Sequence, residues 1–168
     1  WTRTASLAFE KEVLGFYLSD HPLKGFDNLS SVWTSGTVAD LSRIGKEHAL
    51  KTTKEEPAPR KYDPRNRDQG KKRITVAGLL TEVRELITKK GTRMAFAKIE
   101  DLTGTCEVVI FPDAFSRLDQ MLKDERPMLI AGLLEVNEEG IAKIILDNLS
   151  PLEDVIRKMR KMTFWLDR

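Results

Sequence analysis

The chain has 168 residues, 40% hydrophobic and 32% charged, and its 28 basic residues against 26 acidic ones leave a net charge of +2. That length holds one or two small domains, and the near balance of charge excludes a uniformly basic nucleic-acid glove, so any anion site must be local. One cysteine excludes a disulfide framework within a chain, two histidines give no zinc-ligand spacing, and no apolar run reaches the ~20 residues of a membrane span, so a soluble, cytoplasmic protein is expected.

From Ala5 to Leu18, Leu7, Leu14 and Leu18 share one stripe with Val13 and Tyr17 beside it, and Glu10, Lys11 and Glu12 cluster opposite, the spacing of an amphipathic helix. Pro22 pushes the preceding residue out of the α region, so His21 marks the helix boundary and is assigned no chemistry. Phe26, Leu29 and Trp33 again fall at helical spacing, and Thr37 with Asp40 offers an N-cap and a near capping box for TVADLSRI. Residues 1–44 therefore read as a helical segment. Residues 45–72, with three prolines, two glycines and hardly a large apolar side chain, read as a charged flexible linker, and the basic run RKYDPRNRDQGKKR at its end either rests against a phosphate backbone or, as is usual for such runs, is solvated charge.

Residues 73–150 carry the strand signals. RITVAGLLTEVRELIT is too long for a flat strand, and Gly78 lets it coil around a barrel corner. After the basic turn KKGT, Met94, Phe96 and Lys98 alternate with Ala95, Ala97 and Ile99. DLTGT then reverses the chain into CEVVIF, where Cys106 reads as a small buried hydrophobe. Pro112, Phe115, Leu118 and Leu122 place a helix next, and MLIAGLLEV and IAKIIL flank the hairpin loop NEEG. The fold class is mainly β with flanking helices: a five-stranded OB-fold barrel in the order β-β-β-α-β-β. In residues 151–168, Leu152, Val155, Ile156 and Met159 form one face of a connector helix, and Met162, Phe164 and Leu166 alternate like the start of a truncated C-terminal domain. With Trp1 in place of an initiator methionine, the chain reads as an excised piece.

FEKEVLGFYLSDHPL and ITVAGLLTEVRELITKKGTRMAFAKIEDLTGTCEVVIFPDAF closely resemble the C-terminal region of the bacterial replicative DNA polymerase III alpha subunit, the G-F-Y-L-S-x-H-P-L run being the most specific part. TVADLSRI resembles that family's short connecting helix, and TFWLDR the first strand of its last domain. The chain departs from the family between Ile44 and Arg73, where it is longer and more charged. The resemblance implies a parent that is a DNA-directed DNA polymerase, a nucleotidyltransferase using magnesium, with its catalytic carboxylates upstream of Trp1. No catalytic residue, metal site or cofactor is expected in this piece. Its function would be noncatalytic, holding single-stranded template DNA near the polymerase during DNA replication. Other polymerase domains, and through the parent chain the sliding clamp and clamp loader, would be further partners, and no membrane is expected.

An OB groove combines cations with stacking aromatics. The expected nucleic-acid contacts are Lys89, Lys90 and Arg93 around the first turn, with Phe96 and Lys98 on the second strand. Phe96 either stacks on a base or fills the barrel, and Glu82, Glu100 and Glu107 dilute the positive field. Two other functions fit the strand order. One is a protein-interaction scaffold within the replisome with negligible DNA binding. The other is an anticodon-binding OB domain of an aminoacyl-tRNA synthetase, which leaves the HPL segment unexplained.

Overall fold

A computed structural model describes residues 13, 23, 33–52 and 71–158. All of the helix expected over Ala5 to Leu18 except Val13, together with His21, most of the Phe26 to Trp33 segment, the basic run before Lys71 and the tail from Met159, lies outside the described residues. A 3-10 turn at Val38–Asp40 leads into α1 (Leu41–Thr52), followed by β1 (Lys72–Ile87), β2 (Arg93–Glu100), β3 (Thr105–Ile110), α2 (Pro112–Leu118), a 3-10 turn at Met121–Lys123, β4 (Met128–Val136) and β5 (Ala142–Pro151). Residues 152–158 form a last helix, α3.

The strands close into a barrel in the order β1-β2-β3-β5-β4. Every neighbouring pair is antiparallel except β3 and β5, which run parallel through Glu107↔Lys143, Val108↔Ile144 and Val109↔Ile145. This is the OB-fold barrel with flanking helices that the strand and turn pattern predicts. β1 serves two partners, β4 up to Gly78 and β2 from Leu79 on, which is why it needs its sixteen residues. The partner change falls at the predicted corner glycine, but the register break comes later, between Thr81 and Arg84, where Glu82 takes φ +50°. A non-glycine residue there is strained. Lys98 Nζ donates to Glu82 Oε1 at 2.9 Å and helps hold the bulge in place.

Inside the barrel, Ile74, Val76 and Leu80 of β1 meet Ala95, Ala97 and Ile99 of β2, Val108 and Ile110 of β3, Met128 and Ile130 of β4, and Ile144 and Leu146 of β5. α2 closes one opening. Pro112 fits its first turn, where no N–H partner is required, and Ala114, Phe115 and Leu118 are buried against the strands. α3 packs on the outer side, with Leu152 and Ile156 joining Leu23 and Ala77 in a second cluster.

The first residues of the linker expected from Gly45 are helical instead, because α1 continues to Thr52. Lys46, Glu47, Ala49 and Leu50 are good helix formers, no proline intervenes before Pro57, and Arg43 pairs with Glu47 one turn on at 2.9 Å. Gly45 is the point at which this helix touches the barrel. A Cβ there would come within 2.1 Å of Val136 Cγ2, so only glycine lets Leu41 and Ile44 sink into the core.

The start of α1 is tied down from two directions. Asp40 closes its own turn by accepting from the Thr37 N–H at 3.1 Å and hydroxyl at 2.8 Å. The Asp101 carboxylate, in the β2–β3 turn, accepts from the N–H groups of Thr103 at 2.7 Å and Gly104 at 3.0 Å, then reaches across to the Val38 N–H at 2.8 Å. One side chain therefore shapes a hairpin and caps a distant helix. Ahead of it, Ser35 occupies the edge of β1 that β2 has not yet reached, its N–H donating to Thr75 O at 2.7 Å and its hydroxyl accepting from Thr75 N at 3.1 Å.

Candidate nucleic-acid interface

Strand alternation decides which β2 residues a ligand can meet. Ala95, Ala97 and Ile99 point into the barrel, so Met94, Phe96, Lys98 and Glu100 point out. Phe96 is half-buried on the outer surface and is absent from the barrel core, so it does not fill the barrel. Its register neighbours are Arg84 on β1 and Val109 on β3, and the row continues through Ile145 of β5 to Leu133 of β4 and Arg73 of β1. Side chains opposite one another in such a ladder touch. Val109, Ile145 and Leu133 are closed off from solvent, whereas Phe96 and Met94 are half-buried and Leu86, opposite Met94 on β1, is exposed, so the accessible apolar surface on this side lies on the β1–β2 hairpin.

The next row, Lys98, Glu107, Lys143 and Glu135, alternates in charge. Lys98 is held by Glu82 and Lys143 Nζ lies 3.0 Å from Glu135, which also pairs with Lys71. Burial raises the Glu135 carboxyl, but the bonds from Lys71 and Lys143 outweigh it and keep the group below its ordinary value. Glu82 is likewise held low, chiefly by its bond from Lys98. Both carboxylates stay charged, so this row is largely self-neutralised.

The β1–β2 turn is held by mutual bonds between Thr88 and Thr92, with the Thr92 carbonyl accepting from the Thr88 N–H at 2.8 Å and the two hydroxyls 2.7 Å apart, and Gly91 takes φ +76°. Lys89 and Lys90 are exposed at its tip and enter no ion pair among the described residues. Arg93 is differently placed. Its guanidinium carbon stands 5.1 Å from the ring centre of Phe115 on α2, within cation–π range, and Nη1 is 3.9 Å from Glu85.

The five expected residues thus lie on one hairpin in three settings: two lysines open at the tip, Arg93 braced on α2, and Phe96 beside an ion-paired Lys98. Arg84, next to Phe96, and the lysines near the β4–β5 turn escape sequence reasoning. Arg84 sits beyond the bulge that inverts the simple alternation of β1, and the other lysines meet only when α1 folds against β4. Among the described residues no group of three or more His, Cys, Asp or Glu side chains could hold a metal ion, and no helix is long and apolar enough to cross a membrane.

The model of the tRNA anti-codon family, described as an OB-fold nucleic acid binding domain, matches residues 74–152. The DNA polymerase III subunit alpha of Bacillus subtilis is 31% identical over 89% of this chain, and that of Saccharopolyspora erythraea 27% over 91%. In each case the chain spans 11% of the relative's length. A solved structure of yeast Stn1 and Ten1 aligns with 79% of this chain and 68% of its own at 17% identity and a TM-score of 0.46, too loose a likeness to carry any argument.

Proposed function

We propose, from the premise that this chain is homologous to the OB region of DNA polymerase III alpha subunits, that its barrel is a noncatalytic module holding single-stranded template DNA during replication. The observation that carries the reading is the outward placement of Phe96 among Met94, Arg84 and Lys98. A base stacks on the open part of the ring, while its phosphates run toward Lys89 and Lys90 at the tip of the hairpin. Stacking tolerates any base and lysines read only charge, so binding is sequence-independent. On this reading polymerisation and its magnesium belong to other parts of the parent chain, as do the contacts with sliding clamp and clamp loader.

The test is a fluorescence anisotropy titration of the full 168-residue chain with oligothymidylate over a range of salt concentrations. Replacing Phe96 by alanine should weaken binding roughly 5- to 150-fold, the effect of removing one base stack of ~1–3 kcal/mol. The triple replacement of Lys89, Lys90 and Arg93 by alanine should flatten the salt slope by about 0.7 for each phosphate that is no longer neutralised. Unchanged affinity and slope in both variants would refute the reading. The scaffold alternative has one observation in its favour, Leu86 and Ile87 standing 50% and 75% exposed on the same hairpin. A Leu86→Ser, Ile87→Ser variant that lost a protein partner but kept oligonucleotide affinity would favour it.

A further inference from the structure

A second concentration of positive charge lies on another part of the barrel. Where α1 rests on β4 and the β4–β5 turn, a half-open cleft of about 450 Å³ is lined by Lys46, His48, Lys71, Lys72, Glu135 and Lys143, with Leu134 and Val136 as its apolar floor. Four lysines there face one carboxylate, a local charge of +3 with histidine neutral, more than the +2 of the whole chain. Glu135 engages Lys71 and Lys143, whereas Lys46 and Lys72 enter no ion pair among the described residues. Glu138 and Glu139 sit at the exposed tip of the turn and do not line the cleft. Lys46 reaches from α1 across to that turn: a Cβ on Gly140 would meet its Nζ at 2.6 Å.

The lining also indicates what the cleft would take. Its one ring is the His48 imidazole, and it contains no Phe, Tyr or Trp platform for a base and no guanidinium fork to match a planar partner. Ammonium groups on flexible stems are point charges suited to phosphate oxygens. A volume of this size falls within the range of small-ligand sites, and its half-open form lets an extended chain pass through. Lys143 links the cleft to the hairpin, since it lies in the same ladder row as Glu107 and Lys98. From β2 through β3 and β5 to β4 is three strand spacings, about 14 Å.

We infer that this α1–β4/β5 cleft is a phosphodiester subsite, in which Lys46 and Lys72 grip the backbone of a nucleic-acid strand beyond the point where its base stacks on Phe96. The inference deepens the single-strand reading and rests on it for the identity of the ligand. The anion site itself can be tested separately.

Two measurements do this. In the first, the full chain is titrated with inorganic pyrophosphate and backbone amide resonances are followed. Saturable shifts at Lys46, Asn137 and Gly140, abolished by Lys46→Gln with Lys72→Gln, are expected. Shifts absent there, or no larger than those at Lys89 and Lys90, would overturn the proposal. In the second, oligothymidylates of about 4 and about 16 nucleotides, the span of OB-fold site sizes, are compared. The double glutamine variant should bind the short strand as the native chain does. It should bind the long one more weakly, with a salt slope flatter by about 0.7 per lysine removed. Equal loss on both lengths, or none on either, would overturn the subsite. If no oligonucleotide binds but pyrophosphate still shifts Gly140, the hairpin reading fails while the anion site stands.

Discussion

Asp101→Ala should destabilise the fold far more than an ordinary turn substitution, because it severs a link between the barrel and α1. The carboxylate accepts from the N–H of Thr103, the hydroxyl of Thr103 and the N–H of Gly104, all exposed groups that water can serve instead. It also accepts from the Val38 N–H, a part-buried donor. Three bonds that solvent replaces contribute little, whereas stranding the fourth donor costs about 1–3 kcal/mol. A net loss of roughly 2 kcal/mol follows, or about 4–8 °C in melting temperature for a chain of this size. Urea unfolding followed by circular dichroism gives the free energy, and amide exchange at Val38 and Leu41 tests the mechanism, since both should exchange faster while Ile99 is little changed. Thr103→Val is the control, removing only the bond to the exposed Ala39 N–H at 3.1 Å along with the hydroxyl's own bond to Asp101. If Asp101→Ala stays within about 0.5 kcal/mol of the native chain, the range of ordinary surface substitutions, the carboxylate does not dock the helix.

Gly132→Ala should unfold the barrel or cost more than about 3 kcal/mol by calorimetry, since its Cβ would stand 2.2 Å from the Ile145 carbonyl oxygen, a backbone atom unable to move aside. Carboxyl NMR should find Asp40 titrating at about 2, held down by the Arg43 guanidinium first and by the Thr37 hydroxyl and N–H after it. Because that folded value lies below the ordinary 3.8, the group's contribution is present above that pH and lost as pH falls toward 2, and Arg43→Ala should move the midpoint upward. Burial, and then Glu107, push the Cys106 thiol up to about 11, so its stabilising contribution is complete below pH 9 and is lost as pH rises toward 11. Cys106→Ala should lose less stability over that interval, and the native thiol should resist alkylation until the chain unfolds.

The fold was legible because its strands follow the two-residue period and its turns carry their own chemistry. On β2 the small residues Ala95 and Ala97 face inward and Phe96 and Lys98 outward, and DLTGT forms the turn its aspartate and glycine suggest. The length of α1 was harder to read, since Gly45 and the charges after it look like a linker until the packing of Gly45 on Val136 is known. The electrostatic setting of the predicted site was not legible. Glu82 reaches Lys98 because of a bulge with positive φ on a non-glycine residue, and Arg93 meets Phe115 because α2 folds back over the barrel mouth. Neither depends on local pattern. Both subtract from the field that counting lysines and arginines along the hairpin would predict.

That subtraction shapes how a single strand can be held. Several of the cations are already spent on carboxylates, Lys98 on Glu82 beside Phe96 and both Lys71 and Lys143 on Glu135 within the cleft, so a phosphate arriving at these must displace a carboxylate and gains little. The lysines without an ion pair among the described residues stand in two separate places, Lys89 and Lys90 on the β1–β2 turn and Lys46 and Lys72 at the α1 cleft, and Phe96 lies on the strand that leaves that turn. A strand held in two places by charge and in a third by a stacked base is bound by linked weak sites, each raising the effective concentration for the next. Affinity should then climb steeply once an oligonucleotide is long enough to engage both lysine pairs and change little on further lengthening. A smooth, proportional rise with length from the shortest strand onward would mean that charge is spread evenly over the barrel and that the ion pairs impose no such division.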